Sequence, residues 1–142
     1  MSPSSSTEPK SVKFPPTQVR IVGAGLIGTS IGLGLVQHGV SVEMIDSDPA
    51  SQSLASDLIG GGSVGQPQLV ILALPTNRLD EVLNREFKLN PQSTFMDVGS
   101  VKTEVLLKVE GIAGLATRFV PSHPMAGREI GGAGSARADL FQ

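Results

Sequence analysis

The six residues GAGLIG at positions 23–28 match the spacing G-x-G-x-x-G, which brings a backbone turn close to a phosphate group. In this pattern Gly23 allows a tight turn, Gly25 lets the backbone approach a pyrophosphate, and Gly28 brings a helix close to a strand. The helix start presents N–H groups to the phosphates. The alternative, a glycine-rich turn without a ligand, is disfavoured because a strand precedes the motif and a helix follows it. The predicted phosphate-binding loop comprises Gly23, Ala24, Gly25, Leu26, Ile27 and Gly28.

Asp46 ends the second predicted strand, where a carboxylate can accept hydrogen bonds from the ribose hydroxyls of an adenosine. Ser47 and Asp48 follow it, and no arginine or lysine is near it in the sequence. A 2′-phosphate would meet two carboxylates and no cation, so the sequence predicts NAD rather than NADP as the cofactor. The alternative for Asp46 is a residue that merely begins a turn, and Asp48 is predicted to be the N-cap of the next helix.

His123 lies in the segment SHPMAGREIGG at positions 122–132 and is one of two histidines in the chain. A neutral imidazole can accept the proton of a hydroxyl group while hydride leaves the carbon that bears this hydroxyl. The unperturbed pKa of histidine, about 6.5, suits that role near pH 7. Pro124 favours extended backbone at His123. The other histidine, His38, is predicted to interact with the end of the first helix.

Two further polar residues follow predicted strands. Ser100, in DVGSVK at positions 97–102, follows the fourth strand and is expected to face the reactive end of the cofactor. It is also well placed to cap the next helix, and the two roles do not exclude each other. Thr76 follows the third strand and is expected on the adenosine side, with helix capping by Thr76 or Asn77 as the alternative.

Short apolar runs alternate with helical patterns along the chain. Such alternation with short links predicts an α/β fold, with a parallel sheet covered by helices on both faces. Right-handed crossovers predict the doubly wound strand order 3-2-1-4-5, with ligands bound near the switch between strands one and four. The predicted strands are 18–23, 40–46, 69–75, 94–99 and 117–122, and the predicted helices are 26–38, 49–58, 77–87 and 101–110.

Composition excludes several classes of protein. Residues 1–17 are rich in serine and proline and predict a disordered tail before one domain over residues 18–142. The net charge of −2 without a basic block argues against nucleic-acid binding. The absence of cysteine excludes disulfides and thiolate metal sites, and no metal site is predicted. Because no apolar run approaches the ~20 residues that span a bilayer, and no secretory signal is recognisable, we expect no membrane partner and a soluble, cytoplasmic protein.

Three motifs, VGAGLIGTS, DVGSVK and HPMAGRE in this order, resemble the amino-terminal, NAD-binding Rossmann domain of the prephenate dehydrogenases. The first motif is common to many dehydrogenases, whereas the second and third together are typical of this family and of the arogenate dehydrogenases. The resemblance runs from about Gln18 to the end of the chain. It implies NAD-dependent oxidative decarboxylation of prephenate to 4-hydroxyphenylpyruvate in tyrosine biosynthesis.

The resemblance also implies roles for three residues. His123 matches the catalytic histidine that hydrogen-bonds the ring hydroxyl of the substrate and promotes hydride transfer. Ser100 matches the serine that contacts this hydroxyl and orients the histidine and the nicotinamide. Glu129 matches an acid linked to the substrate site, and its alternative is a solvated loop carboxylate.

Members of this family carry a helical carboxyl-terminal domain that forms a homodimer and supplies an arginine to the substrate, and nothing in this sequence matches it. We therefore expect a Rossmann domain that is truncated before the helical domain. By itself, this Rossmann domain is expected to bind NAD with little or no turnover. The span between Asp46 and Leu69 is short for the family, which predicts a trimmed adenosine side. Two alternatives stay open: an arogenate dehydrogenase, and a non-catalytic NAD(H)-binding module, which the pair His123 and Glu129 disfavours.

Overall fold

A computed structural model describes residues 15–99 and 102–122. Within that part of the chain it shows five parallel strands and four α-helices, with a 3₁₀ turn over Ala116–Arg118 before the last strand. None of these helices is long and apolar enough to cross a membrane. The strands are β1 (Gln18–Val22), β2 (Ser41–Ile45), β3 (Leu69–Leu72), β4 (Thr94–Asp97) and β5 (Phe119–Pro121), and the helices are α1 (Leu26–Gln37), α2 (Pro49–Ile59), α3 (Thr76–Leu89) and α4 (Lys102–Glu110).

The strands lie side by side in the order β2-β1-β3-β4-β5, which corrects the predicted order 3-2-1-4-5. The third strand is not outside the second but pairs with β1 on one side and β4 on the other. The physical reason is burial, since all four residues of β3 are buried, and a strand covered on both faces belongs in the middle of a parallel sheet. The winding therefore reverses between β1 and β3, and not between the first and fourth strands.

Alternation along β3 builds a hydrophobic core on each face of the sheet. Leu69 and Ile71 pack in a core with β1, β2, α1 and α2. Val70 and Leu72 pack in a second core, which contains residues of α3 and α4. Helix α3, which corresponds to the predicted helix 77–87, packs on this second core through three buried apolar residues: Leu79, Val82 and Leu83.

The face of α1 that packs on the sheet is made largely of small residues, among them Gly28, Thr29, Ser30 and Gly32. A Cβ atom at Gly32 would lie 3.2 Å from Met44 Sδ and 3.4 Å from a methyl carbon of Ile59. A glycine inside a helix costs about 1 kcal/mol relative to alanine, and this close approach to the sheet offsets the cost.

The predicted ends of α1 and α2 are confirmed to within one or two residues. Asp48 is the N-cap of α2, and its carboxylate accepts the Ser51 hydroxyl at 2.6 Å and the Ser51 N–H at 3.2 Å. These two hydrogen bonds hold the pKa of Asp48 below its usual value. At the end of α1, His38 is the C-cap, and its Nδ1 lies 2.8 Å from the carbonyl oxygen of Gly34.

A charged cluster joins β1, β2 and α3 on the second face of the sheet. Arg20 donates to Oε1 of Glu43 at 2.9 Å and to Oε1 of Glu86 at 3.0 Å, and the Glu86 side chain is 2% exposed. Burial alone would lower the pKa of Arg20, but hydrogen bonds and charge from Glu86 and then Glu43 outweigh it and raise that pKa. The guanidinium therefore stays charged and links three elements.

Replacing Glu86 with alanine removes one of the two carboxylates from Arg20. We expect the free energy of unfolding to fall by about 2–3 kcal/mol, because a partly buried charge loses a partner while Glu43 remains. Urea unfolding measures the change. The matched control is Glu81→Ala on the exposed side of α3, which should shift the value by less than about 0.5 kcal/mol. Equal losses in both variants would contradict a stabilising cluster.

Candidate dinucleotide-binding site

The glycine loop turns sharply at Gly23, directly after β1. Gly23 has a φ of +114°, and a Cβ atom there would lie 2.0 Å from the carbonyl oxygen of Ala73, next to the end of β3. Its N–H donates to the carbonyl oxygen of Ile45 at 2.7 Å, and the Ala73 N–H donates to that of Val22 at 2.8 Å. A residue with a side chain would clash with Ala73 and have a strained backbone here. Contacts within the protein, independent of any ligand, therefore require glycine at position 23.

Gly28 and Gly25 have opposite surroundings. A Cβ atom at Gly28 would lie 2.1 Å from the carbonyl oxygen of Gly23 and 3.2 Å from Ala73 Cβ, so α1 lies this close to the loop because Gly28 has no side chain. A Cβ atom at Gly25 would meet no described atom within 4 Å, and the φ of Gly25 is an ordinary −85°. Internal packing does not require glycine at this position, and the space beside it is open to a ligand.

Helix α1 begins beside this open space without a side-chain cap. Gly25 is its N-cap, and the N–H of Thr29 donates to the Gly25 carbonyl oxygen at 3.1 Å. The preceding helical N–H groups, those of Leu26, Ile27 and Gly28, have no acceptor within the helix. Such groups, together with the helix dipole, favour a bound phosphate.

Asp46 ties the glycine loop to the end of β2. Its Oδ2 accepts the Ala24 N–H at 2.7 Å, and its Oδ1 accepts the Asp48 N–H at 2.8 Å. Its own N–H donates to Gln52 Oε1 at 2.7 Å. Asp46 thus begins a turn, as its alternative role required, and it also binds the Ala24 N–H. Each carboxylate oxygen has a second lone pair for a ribose hydroxyl, and that contact stays a prediction.

Arg78 lies at this site, although the sequence pattern did not select it. Its Nη1 donates to the Ser47 hydroxyl oxygen at 2.7 Å, across 31 positions of sequence. The expectation that no cation is near Asp46 is therefore wrong, because α3 brings an arginine to the residue next to it. A charged residue in the first turn of the helix after β3 was the available signal, but local sequence spacing does not show that this side chain reaches across to the end of β2.

Thr76 begins α3 at the point where the winding of the sheet reverses. Pro75 is the N-cap of α3 and makes no side-chain cap, so the alternative of capping by Thr76 or Asn77 is wrong. The corrected strand order also changes the expected place of these residues, since β3 adjoins β1 and does not lie beyond β2 on the adenosine side. A cofactor contact by the half-buried Thr76 stays a prediction.

A groove of about 290 Å³ runs between α3 and the first two strands. Its apolar lining includes Val22, Ile45 and Leu74, and its carboxyl-end rim carries Asp46, Ser47 and Arg78. We call this space the β2–α3 groove. An apolar wall with polar groups at one end is typical of sites that hold a small molecule in one orientation.

The predicted residues Ser100, His123 and Glu129 lie outside the residues that the structure describes. The division of the chain at residues 17 and 18 also stays a prediction, since its tail falls mainly outside the described part. The strands that precede Ser100 and His123 are neighbours, and Asp97 of β4 pairs with Pro121 of β5 at their carboxyl ends.

Residues 25–142 match the family described as prephenate dehydrogenase, nucleotide-binding domain. The chain belongs to the prephenate dehydrogenase family. The resemblance carried by the three motifs is thereby confirmed, and so is an α/β nucleotide-binding fold. The expectation of NAD as cofactor agrees with the nucleotide-binding domain that the family match identifies.

Curated members of the prephenate dehydrogenase family are about 30% identical to the chain. It matches the probable prephenate dehydrogenase NovF of Streptomyces niveus at 30% identity over 125 residues, which is 85% of this chain and 34% of the relative. It matches the prephenate dehydrogenase of Lactococcus lactis at 30% identity over 138 residues, 88% of this chain and 38% of the relative. The chain therefore spans little more than a third of the length of these relatives.

Two solved structures are similar to the chain. The prephenate dehydrogenase of A. aeolicus, in complex with hydroxyphenyl propionate and NAD+, superposes with a TM-score of 0.78 and is 30% identical, covering 89% of this chain and 48% of that one. The arogenate dehydrogenase of Synechocystis has a TM-score of 0.73 at 24% identity, covering 87% and 46%, and at this identity it supports the fold alone.

Two glycine substitutions in the loop should have opposite consequences. Gly23→Ala should lower the free energy of unfolding by more than about 2 kcal/mol, because of its positive φ and its contact with Ala73. Gly25→Ala should change it by less than about 0.5 kcal/mol. It should nevertheless raise the Kd for NAD+ about tenfold or more, because its methyl group occupies the open space. Urea unfolding and titration calorimetry measure the two quantities, and normal NAD+ binding by Gly25→Ala would contradict this assignment of the space.

Proposed function

We propose that the chain supplies the NAD site of a prephenate dehydrogenase, an oxidoreductase that decarboxylates its substrate. The observation that carries the proposal is the hydrogen bond of 2.7 Å between the Ala24 N–H and Asp46 Oδ2. It joins the glycine loop after β1 to the acid after β2, at the edge where ligands of open parallel sheets bind. Membership of the family supports the same cofactor.

The described residues have distinct tasks in holding the dinucleotide. The first N–H groups of α1 would bind the pyrophosphate in the space beside Gly25. Asp46 would accept hydrogen bonds from the adenosine ribose, and the apolar lining of the β2–α3 groove, Ile45 and Leu74, would contact the adenine. The nicotinamide would then extend toward the carboxyl ends of β3 and β4, with Thr76 as a cofactor contact.

The chemistry is the removal of hydride from the ring carbon that bears the hydroxyl of prephenate. NAD+ supplies the hydride acceptor when bound. We propose that His123 accepts the hydroxyl proton as hydride departs, that Ser100 orients His123 and the hydroxyl, and that Glu129 belongs to the substrate site. The electron pair of the bond broken by loss of CO2 completes the aromatic ring of 4-hydroxyphenylpyruvate, which makes the reaction favourable.

The complete enzyme requires more than the described groups. We propose that catalysis occurs in a cytoplasmic homodimer, joined through a helical domain that supplies an arginine for a substrate carboxylate. The chain's span of 34–38% of its curated relatives agrees with this division of labour.

Formation of NADH, followed by absorbance, tests the activity. The full-length enzyme that contains this domain should reduce NAD+ with prephenate, whereas the chain alone should bind NAD+ with little or no turnover. Arogenate is the parallel substrate, and a preference for it would replace prephenate in the proposal. If the full-length protein oxidises neither substrate but the chain binds NAD+, a non-catalytic NAD(H)-binding module is the correct function.

His123→Asn tests the catalytic histidine in that full-length enzyme. Loss of a general base lowers rates by about 10²–10⁴-fold, so kcat should fall by at least about a hundredfold while the Kd for NAD+ changes less than about twofold. Steady-state kinetics and NAD+ titration give the two values. Equal losses of kcat and NAD+ affinity would instead indicate a structural histidine.

A further inference from the structure

Arg78 is the one arginine of the β2–α3 groove rim whose charge is not committed to a carboxylate within the described residues. Three arginines line the groove: Arg20, Arg78 and Arg85. Arg20 is bound by two glutamates, and Arg85 Nε lies 3.5 Å from Glu86 Oε2. Arg78 has a neutral partner, the Ser47 hydroxyl, at 2.7 Å. Its charge therefore remains available to an anion.

The place of this cation is as informative as its charge. Ser47 follows Asp46, which in the proposed function accepts hydrogen bonds from the adenosine ribose. In dinucleotide-binding sheets an acid at this point binds the 2′-hydroxyl of NAD, and a nearby arginine accommodates the 2′-phosphate of NADP. This chain has both kinds of residue at the end of β2, one from the strand and one from α3.

We propose that Arg78 and Ser47 form a binding site for the 2′-phosphate of NADP, so that the domain binds NADP as well as NAD. A guanidinium donates several hydrogen bonds in a planar fork that suits phosphate oxygens, and a serine hydroxyl adds one donor. The proposal rests on the dinucleotide site of the proposed function, and it adds a second cofactor and the residue that admits it.

The carboxylates near the same point determine the order of preference. Asp46 carries two backbone N–H donors, which offset part of its negative charge toward a neighbouring phosphate. Asp48 is directed to its cap, where it accepts two hydrogen bonds from Ser51. Both carboxylates still lie near the proposed phosphate site and repel an anion there. NAD therefore stays the preferred ligand and NADP the weaker one.

Arg78→Gln is the variant that separates the two cofactors. Loss of a charge-assisted contact with phosphate should raise the Kd for NADP+ about tenfold, whereas the Kd for NAD+ should change less than about twofold. Arg78→Lys should retain part of the NADP+ affinity because it keeps the charge without the fork. Titration calorimetry of the full chain with NAD+ and NADP+ measures both constants.

Arg85→Gln is the matched control, because Arg85 lines the same groove but lies beside Glu86. It should leave both dissociation constants unchanged. The same comparison can be made with the adenosine half of the cofactors alone. Adenosine 2′,5′-bisphosphate and 5′-AMP differ only in the 2′-phosphate. The wild type should bind the bisphosphate more tightly than 5′-AMP. Arg78→Gln should remove most of this difference in affinity.

Three outcomes would overturn the inference. These are wild-type binding of NAD+ without measurable NADP+ binding, an unchanged NADP+ affinity in Arg78→Gln, and an equal loss of both cofactors in that variant. Equal losses would place Arg78 on the part that the two nucleotides share. Failure of the wild type to bind either dinucleotide would be a different result, since it would refute the proposed NAD site itself.

Discussion

The close approach of three backbone segments at Gly23 is the constraint on which the rest of the site depends. The end of β1, the residue after β3 and the first turn of α1 meet there, and the Gly23 N–H is bound to the end of β2. The contacts leave no room for a side chain at Gly23 or at Gly28. They fix where α1 begins and hold the Ala24 N–H against Asp46. The loop is therefore set by protein contacts on one side and open at Gly25 on the other, where a phosphate can take the place of a side chain.

The central position of β3 explains why the glycine loop and the start of α3 are neighbours in the site. All four residues of β3 are buried, which places it between β1 and β4 and moves the reversal of winding to its border with β1. The helix that follows, α3, then starts beside the glycine loop. From there Arg78 crosses toward the end of β2 and meets Ser47. The apolar strand β3 thus determines where α3 begins and, with it, where Arg78 lies.

Charge in the β2–α3 groove is used in two different ways. Arg20, one of the lining residues, is held by Glu43 and Glu86, and this network links two strands with α3. Its charges satisfy one another and have a structural role. At the rim, Arg78 is held by a hydroxyl and keeps its charge for other groups. The two arginines are distinguished by their partners, because β2 and α3 each contribute a carboxylate to Arg20, whereas Arg78 meets a serine.

Much of the fold and part of the site follow from sequence alone, because they depend on local patterns. Strand and helix positions, the cap at Asp48 and the glycine loop all arise from residues close together in the chain, and the motifs identified the family. The strand order, the cation near Asp46 and the engagement of the Ala24 N–H did not follow, since each depends on contacts between distant segments. A parallel sheet brings together residues that local spacing does not relate. The sequence by itself determined which groups are available for dinucleotide chemistry, whereas the tertiary structure decided which of them meet, because strand order is set by the burial of whole elements.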